Sequence, residues 1–245
     1  MKKLVFFLFA GICLAAQAQR DSVSKAKESW PSFLTADQLP DGSAYLPVPP
    51  STGSSLFVSD MVWNYWGKTL RDTPRGEQAR RDANIRLTAL LHFFSDPFGA
   101  TLSEEQYPAL AFLLERVKND CYNATRKAKR HFDRQRPFLY FNEGTLIPEE
   151  ENSHHTPSYP SSHAAVGWAF ALVLSELNPD RSEQLLKAGY EYGQSRVIAG
   201  FHYQTDVDAG RLAASACVAR LHAAEKFQQQ LARVRRELAK LAVRK

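Results

Sequence analysis

YPSSHAAVGWAFALVLSELNPD, residues 159–180, decides the fold class. From Ser162 to Leu177 the only charge is Glu176, and the residues are strong apolar helix formers, so the stretch reads as a strongly apolar helix that Asn178-Pro179 stops. Pro160 closes the preceding loop, and Ser161 or Ser162 can cap the helix. Downstream, Asp180 with Glu183 three residues later resembles a capping box and opens a second helix to about Ala199. After a break at Gly200 a final helix starts near Thr205 and can run on to the C-terminus.

Upstream the texture is similar. Segments near 59–71, 75–94 and 103–119 place apolar residues at three- and four-residue spacing, as in Leu110, Leu113, Leu114 and Val117. A further helix over 126–134 should stop at Arg136, because Pro137 disfavours the α conformation before it. Residues 138–160, with Gly144, Pro148, Pro157 and Pro160, form a long loop, and such loops in compact domains are usually functional. No alternating strand pattern or internal repeat occurs, so the class is all-α.

The ends differ in character. Lys2 and Lys3 precede an apolar run from Leu4 to Ala16 and the small-residue site Ala16-Gln17-Ala18, so residues 1–18 read as a secretory signal peptide, too short to span a bilayer. Residues 19–55, rich in Pro, Ser and Gly, are expected as an extended N-terminal arm, and 56–245 as a single helical domain ending in a basic helix. The formal charge of +5 is concentrated from Arg220 onward, where eight Lys and Arg face Glu225 and Glu237. A nucleic-acid footprint would be spread over a docking face with interleaved aromatics, so no nucleic-acid complex is expected. Cys13 leaves with the signal peptide, and whether Cys121 and Cys217 pair depends on a separation that spacing does not supply. Phe227, Leu231, Val234, Leu238 and Leu241 make a seam of about two heptads, suited to packing on its own domain or to a contact in a homo-oligomer.

Three blocks carry chemistry. In KRHFDRQRP, Lys129 and Arg136 are seven residues apart, so two helical turns would put both cations on one face, with Arg130 and Arg134 pointing elsewhere. Together they can grip a tetrahedral anion. In YPSSH the first amides of the apolar helix form an anion site, with His163 facing it and Ser161 able to donate its hydroxyl. In SRVIAGFHYQTD, Asp206 can reach back to one nitrogen of His202 and fix its tautomer, leaving the other nitrogen to attack, while Arg196 supplies a third cation.

In this order the blocks resemble the signature of the phosphatidic acid phosphatase type 2 superfamily. The surrounding FSDPFG, RPFLYFNEGT, GWAFALVLSELNP, GQSRVIAGFHYQTDVDAGR and FQQQL are similar to the class A bacterial non-specific acid phosphatases, over roughly residues 40–232. The resemblance implies a helical bundle of the acid phosphatase/vanadium haloperoxidase type. It also implies a periplasmic, metal-independent enzyme without cofactor that hydrolyses small phosphate monoesters through a phosphohistidine. By motif, His202 is the nucleophile, Asp206 orients it, and His163 is the acid and base. Lys129, Arg136, Ser161, Arg196 and the amides of Ser162 and His163 hold the phosphoryl oxygens.

Two positions depart from that pattern. Ser162 stands where the family usually has Gly, which adds a side chain close to the anion. The cysteines that relatives often carry after FNE and SRVI are absent. Two alternatives stand beside this reading: a vanadate-dependent haloperoxidase, a class that shares the same three blocks, and a non-catalytic secreted protein whose basic tail binds anionic lipid or envelope polymer and whose phosphate pocket only binds.

Overall fold

The computed structural model describes residues 31–152 and 156–242; the expected signal peptide lies outside the described residues. From Ser32 onward the chain is one compact unit. Its helices are α1 (Ser55–Thr69), α2 (Pro74–Arg81), α3 (Leu87–Phe98), α4 (Pro108–Ala124), α5 (Arg126–Phe132), α6 (Pro137–Tyr140), α7 (Pro148–Glu151), α8 (Ser162–Leu177), α9 (Ser182–Ile198), α10 (Gln204–His222) and α11 (Glu225–Ala242). Among the described residues there is no strand, and the all-α class holds. No helix among them is long and apolar enough to cross a membrane.

The apolar α8 is central, packed against α4, α9 and α10. Ala165, Val166, Phe170, Val173 and Leu174 are fully buried, as are Leu110, Leu113, Leu114 and Val117 facing them from α4. A helix with no polar face is stable only where neighbours cover it on several sides. This arrangement brings the N-terminus of α8 beside the start of α10: Ser161 N–H donates to the Asp206 carbonyl at 2.9 Å. A Cβ at Gly210 would lie 2.4 Å from the Ser161 carbonyl oxygen, so only glycine lets the two helices approach this closely.

Several boundaries differ from expectation, each for a local reason. The stretch 75–94 divides into α2 and α3 because the Asn84 side chain accepts the Arg86 N–H and turns the chain. Helix α5 ends at Phe132, since Asp133 takes φ 44°, a left-handed conformation that Asp tolerates. The anticipated Asp180–Glu183 cap does not form: residues Pro179–Arg181 make a 3₁₀ turn, and α9 starts at Ser182 without a side-chain cap. The final helix breaks between His222 and Glu225, which folds the apolar seam back onto the domain. Phe227, Leu231 and Val234 are fully buried there, and Leu238 and Leu241 pack against the same core.

Helix α11 also closes α4. Tyr107 offers α4 no side-chain cap, and the Glu237 carboxylate instead accepts the Ala109 and Leu110 N–H groups at 2.9 and 3.1 Å. Glu237→Ala should lower stability by about 1 kcal/mol, the usual worth of a cap. The expected readout is a lower urea midpoint with unchanged kcat, because the site is remote from this contact.

The segment before α1 is anchored at several points. Leu34 and Leu46 are buried, and Asp120 of α4 accepts the Phe33 and Leu34 N–H groups while burial pushes its carboxyl up to about 6. Tyr159 donates its hydroxyl to the Pro47 carbonyl. Cys121 and Cys217 are buried free thiols; the hydrogen bond that the Cys121 thiol donates to Cys217, together with burial, pushes that thiol up.

Candidate active site

The first block does not reach its place as one helix face. With α5 ended at Phe132, Arg136 has extended backbone and caps α6, so Lys129 and Arg136 approach the site from different elements. Lys129 Nζ donates to the carbonyls of Pro157 (2.7 Å) and Ser158 (3.2 Å). Arg136 donates from Nε to the Thr156 carbonyl (2.9 Å), and from Nη1 to the Phe201 carbonyl (2.9 Å) and His202 Nε2 (3.2 Å).

That last contact assigns the tautomer. A guanidinium has only donors, so Nε2 of His202 accepts and is unprotonated. The proton sits on Nδ1, which donates to Asp206 Oδ2 at 3.3 Å. The backbone makes this possible at Gly200, whose φ of 85° lets the chain reverse after α9 so that the Phe201 and His202 N–H groups return to the Arg196 carbonyl.

Arg196 is 1% exposed and lies with its guanidinium 4.5 Å above the Phe201 ring. Its Nε and Nη1 have no hydrogen-bond partner among the described residues. Buried polar atoms are rarely left unpaired, and each one costs about 1–3 kcal/mol, more for a charged group.

At the N-terminus of α8, Ser161 caps the helix by accepting the Ala164 N–H at 3.2 Å. The Ser162 hydroxyl is hydrogen-bonded to Thr125 Oγ1 at 2.6 Å, and both groups are buried. His163 Nε2 donates to the Asp82 carbonyl at 2.7 Å, and its ring stacks on Tyr192 with centroids 5.2 Å apart. Asp82 is itself held by Ser195 Oγ and Gln78 Nε2, each at 2.5 Å, between α2 and α9.

The charges interact as one group. Burial and the adjacent Arg136 hold Lys129 well below the ordinary ammonium range. Burial and Arg196 bring Arg136 down to about 10, and burial lowers Arg196. Burial raises Asp206, against the pull of Arg134. The cations are desolvated and repel one another, so an anion among them relieves both penalties.

The PAP2 superfamily pattern matches residues 110–229, a span that contains every site residue expected from the sequence. Similarity to individual proteins reaches further. The chain is 44% identical to the non-specific acid phosphatase of Providencia stuartii over 211 residues, 85% of each chain. It is 38% identical to that of Salmonella typhimurium over 84% of this chain and 83% of the relative. The chain belongs to the PAP2 superfamily, among the class A non-specific acid phosphatases. An acid phosphatase of Zymomonas mobilis is 32% identical over 95% of this chain and 88% of the relative.

In this acid phosphatase, several site residues escaped sequence reasoning. Arg134, expected to point away, donates to Asp206 Oδ1 at 2.7 Å and to Asp60 Oδ2 at 2.7 Å. Ser158 donates its hydroxyl to Asp206 Oδ2, and its own amide is fixed by the Arg134 carbonyl. Asp82 and Tyr192 orient His163 from α2 and α9. A signal existed for Asp60 alone: it is the single charge between Ser55 and Gly67, and in such a stretch a charge is buried only with a partner.

Proposed function

We propose that this phosphomonoesterase is an exported enzyme of broad specificity that works through a phosphohistidine on His202. The observation carrying the proposal is the unprotonated Nε2 of His202 against Arg136, within a group of buried cations whose Arg196 presents hydrogen-bond donors with no partner among the described residues. Lys129, Arg136 and Arg196, with Ser161 and the first amides of α8, would hold the phosphoryl oxygens. Phosphoryl transfer depends chiefly on such positioning and charge neutralisation.

The reaction then follows from the two tautomers. The Nε2 lone pair forms the N–P bond as the P–O ester bond breaks in line, and His163 passes a proton to the departing alkoxide. Because His163 Nε2 donates to the Asp82 carbonyl, Nδ1 is the nitrogen that exchanges this proton. In the second half His163 takes a proton from water, the oxygen attacks phosphorus, and the P–N pair returns to Nε2. The different partners of the rings, a carboxylate for His202 and a carbonyl for His163, support these separate roles.

Export is part of the proposal: cleavage after Ala18 delivers a chain beginning at Gln19 to the periplasm, which N-terminal sequencing of the secreted protein checks. Acid-quench trapping with labelled p-nitrophenyl phosphate tests the mechanism. Label recovered on His202, undiminished by a chelator, is expected; label on another residue, or no turnover by the wild type, overturns it. His163→Ala should cost about 10²–10⁴-fold on alkyl phosphates and much less on p-nitrophenyl phosphate, whose phenolate departs without a proton. Comparing kcat/KM across leaving groups measures this.

A further inference from the structure

The His202–Asp206 pair continues into a second buried assembly. Asp206 uses its two oxygens on opposite sides: Oδ2 takes the Tyr203 N–H (2.9 Å), the Ser158 hydroxyl and His202 Nδ1, and Oδ1 takes Arg134. Arg134 is shared. Its Nη2 binds Asp60 of α1, its Nη1 also donates to Thr205 Oγ1 (2.8 Å), and its plane lies 3.8 Å from the Tyr203 ring centroid. Thr205 completes the circuit, donating from N (2.9 Å) and Oγ1 (2.7 Å) to the two oxygens of Asp60. Both carboxylates are fully buried.

This geometry bears on a conflict inside the proposed reaction. A buried carboxylate beside imidazole favours the imidazolium, yet the nucleophile must be neutral in acid, where His163 must carry its proton. Among the described residues, the charged groups on this side of the site are Asp206 and Asp60 behind His202, Arg134 between them, and Arg136 at 3.2 Å in front, with the Ser158 hydroxyl 3.3 Å from Nδ1. Lys129 and Arg196 act on the same cluster from α5 and α9, and Glu150 of α7 acts on Arg196. Arg134 is the group that binds the carboxylate oxygen remote from the imidazole, where a cation withdraws charge from Asp206 without touching substrate.

We propose that Arg134 is a positioning residue for the nucleophile: it binds Asp206 from behind, with Asp60 setting how much of its charge Asp206 receives, and so keeps His202 Nε2 unprotonated in acid. The proposal rests on His202 being the nucleophile. Its signature is a pair of opposite shifts. Asp60→Asn leaves Arg134 wholly to Asp206, cancels more of its charge, and should move the acidic limb of the kcat/KM profile to lower pH. Arg134→Gln leaves Asp206 uncompensated, so the pair holds its proton longer and the limb should move to higher pH, by about one unit or more for loss of an adjacent charge.

The test is the pH profile of p-nitrophenyl phosphate hydrolysis for wild type, Asp60→Asn and Arg134→Gln, together with an NMR titration of the ¹⁵N-labelled His202 ring in each without substrate. Opposite displacements of the limb, matched by the ring's midpoints, are expected. Limbs that stay in place or move in the same direction overturn the proposal, since a purely structural role lowers kcat without reordering them. If Arg134→Gln does not fold, the near-isosteric Asp60→Asn decides alone: no downward shift ends the idea. Ring midpoints that move as expected in a protein whose phosphoenzyme forms elsewhere would keep the electrostatics and reject the phosphohistidine reading.

Discussion

His202→Ala should fold and lose turnover of p-nitrophenyl phosphate by about a thousandfold or more, with no labelled phosphoenzyme after acid quench. The size follows from what the ring does. In the proposed reaction it supplies the lone pair that displaces the ester oxygen, and among the described residues no other imidazole is hydrogen-bonded to Arg136. The cations remain, so substrate binding should survive better than chemistry: kcat falls while KM changes little. Folding is expected because His202 is linked to Asp206 by only a 3.3 Å contact, and that carboxylate keeps Arg134, Ser158 and the Tyr203 amide. A variant that retains a tenth of wild-type kcat would remove the nucleophile from the mechanism.

Arg196→Met should separate activity from stability. The guanidinium is buried and carries two nitrogens without partners among the described residues, an arrangement that costs folding free energy until an anion arrives. Methionine fills similar volume with nothing to desolvate, although it forgoes the contact with Phe201. The unliganded variant should therefore melt at the same temperature as wild type or higher. Its kcat/KM should fall by about 10²–10³-fold, the usual worth of one donor to developing charge. Inorganic phosphate should raise the Tm of wild type and leave that of Arg196→Met nearly unmoved. A large loss of Tm in the absence of phosphate would mean that Arg196 is a structural residue.

Much of the molecule was legible from local patterns. The apolar period of α8 and α4 marked the core, and Asn178-Pro179 marked the end of α8, because such signals act within a few residues. The His202–Asp206 contact was readable because Asp206, in the first turn of α10, follows His202 by four residues and can reach back to it. Boundaries that depend on competing local bonds were not. Asn84 dividing α2 from α3, and Asp133 ending α5, are choices between hydrogen bonds of similar strength that long-range packing decides.

Sequence alone determined the helical class, the cationic blocks and which two histidines are the candidates, since periodicity and side-chain chemistry are properties of short stretches. Only the tertiary structure decided that Arg134 faces Asp206, that Asp60 of α1 shares it, that the Ser162 hydroxyl meets Thr125, and that His163 is held by a backbone carbonyl of residue 82. Those partners are up to 81 residues distant in sequence, as His163 is from Asp82, and no local preference encodes them. They follow from burial: once α8 occupies the centre, each desolvated charge around its N-terminus must find whichever partner the packing brings within reach.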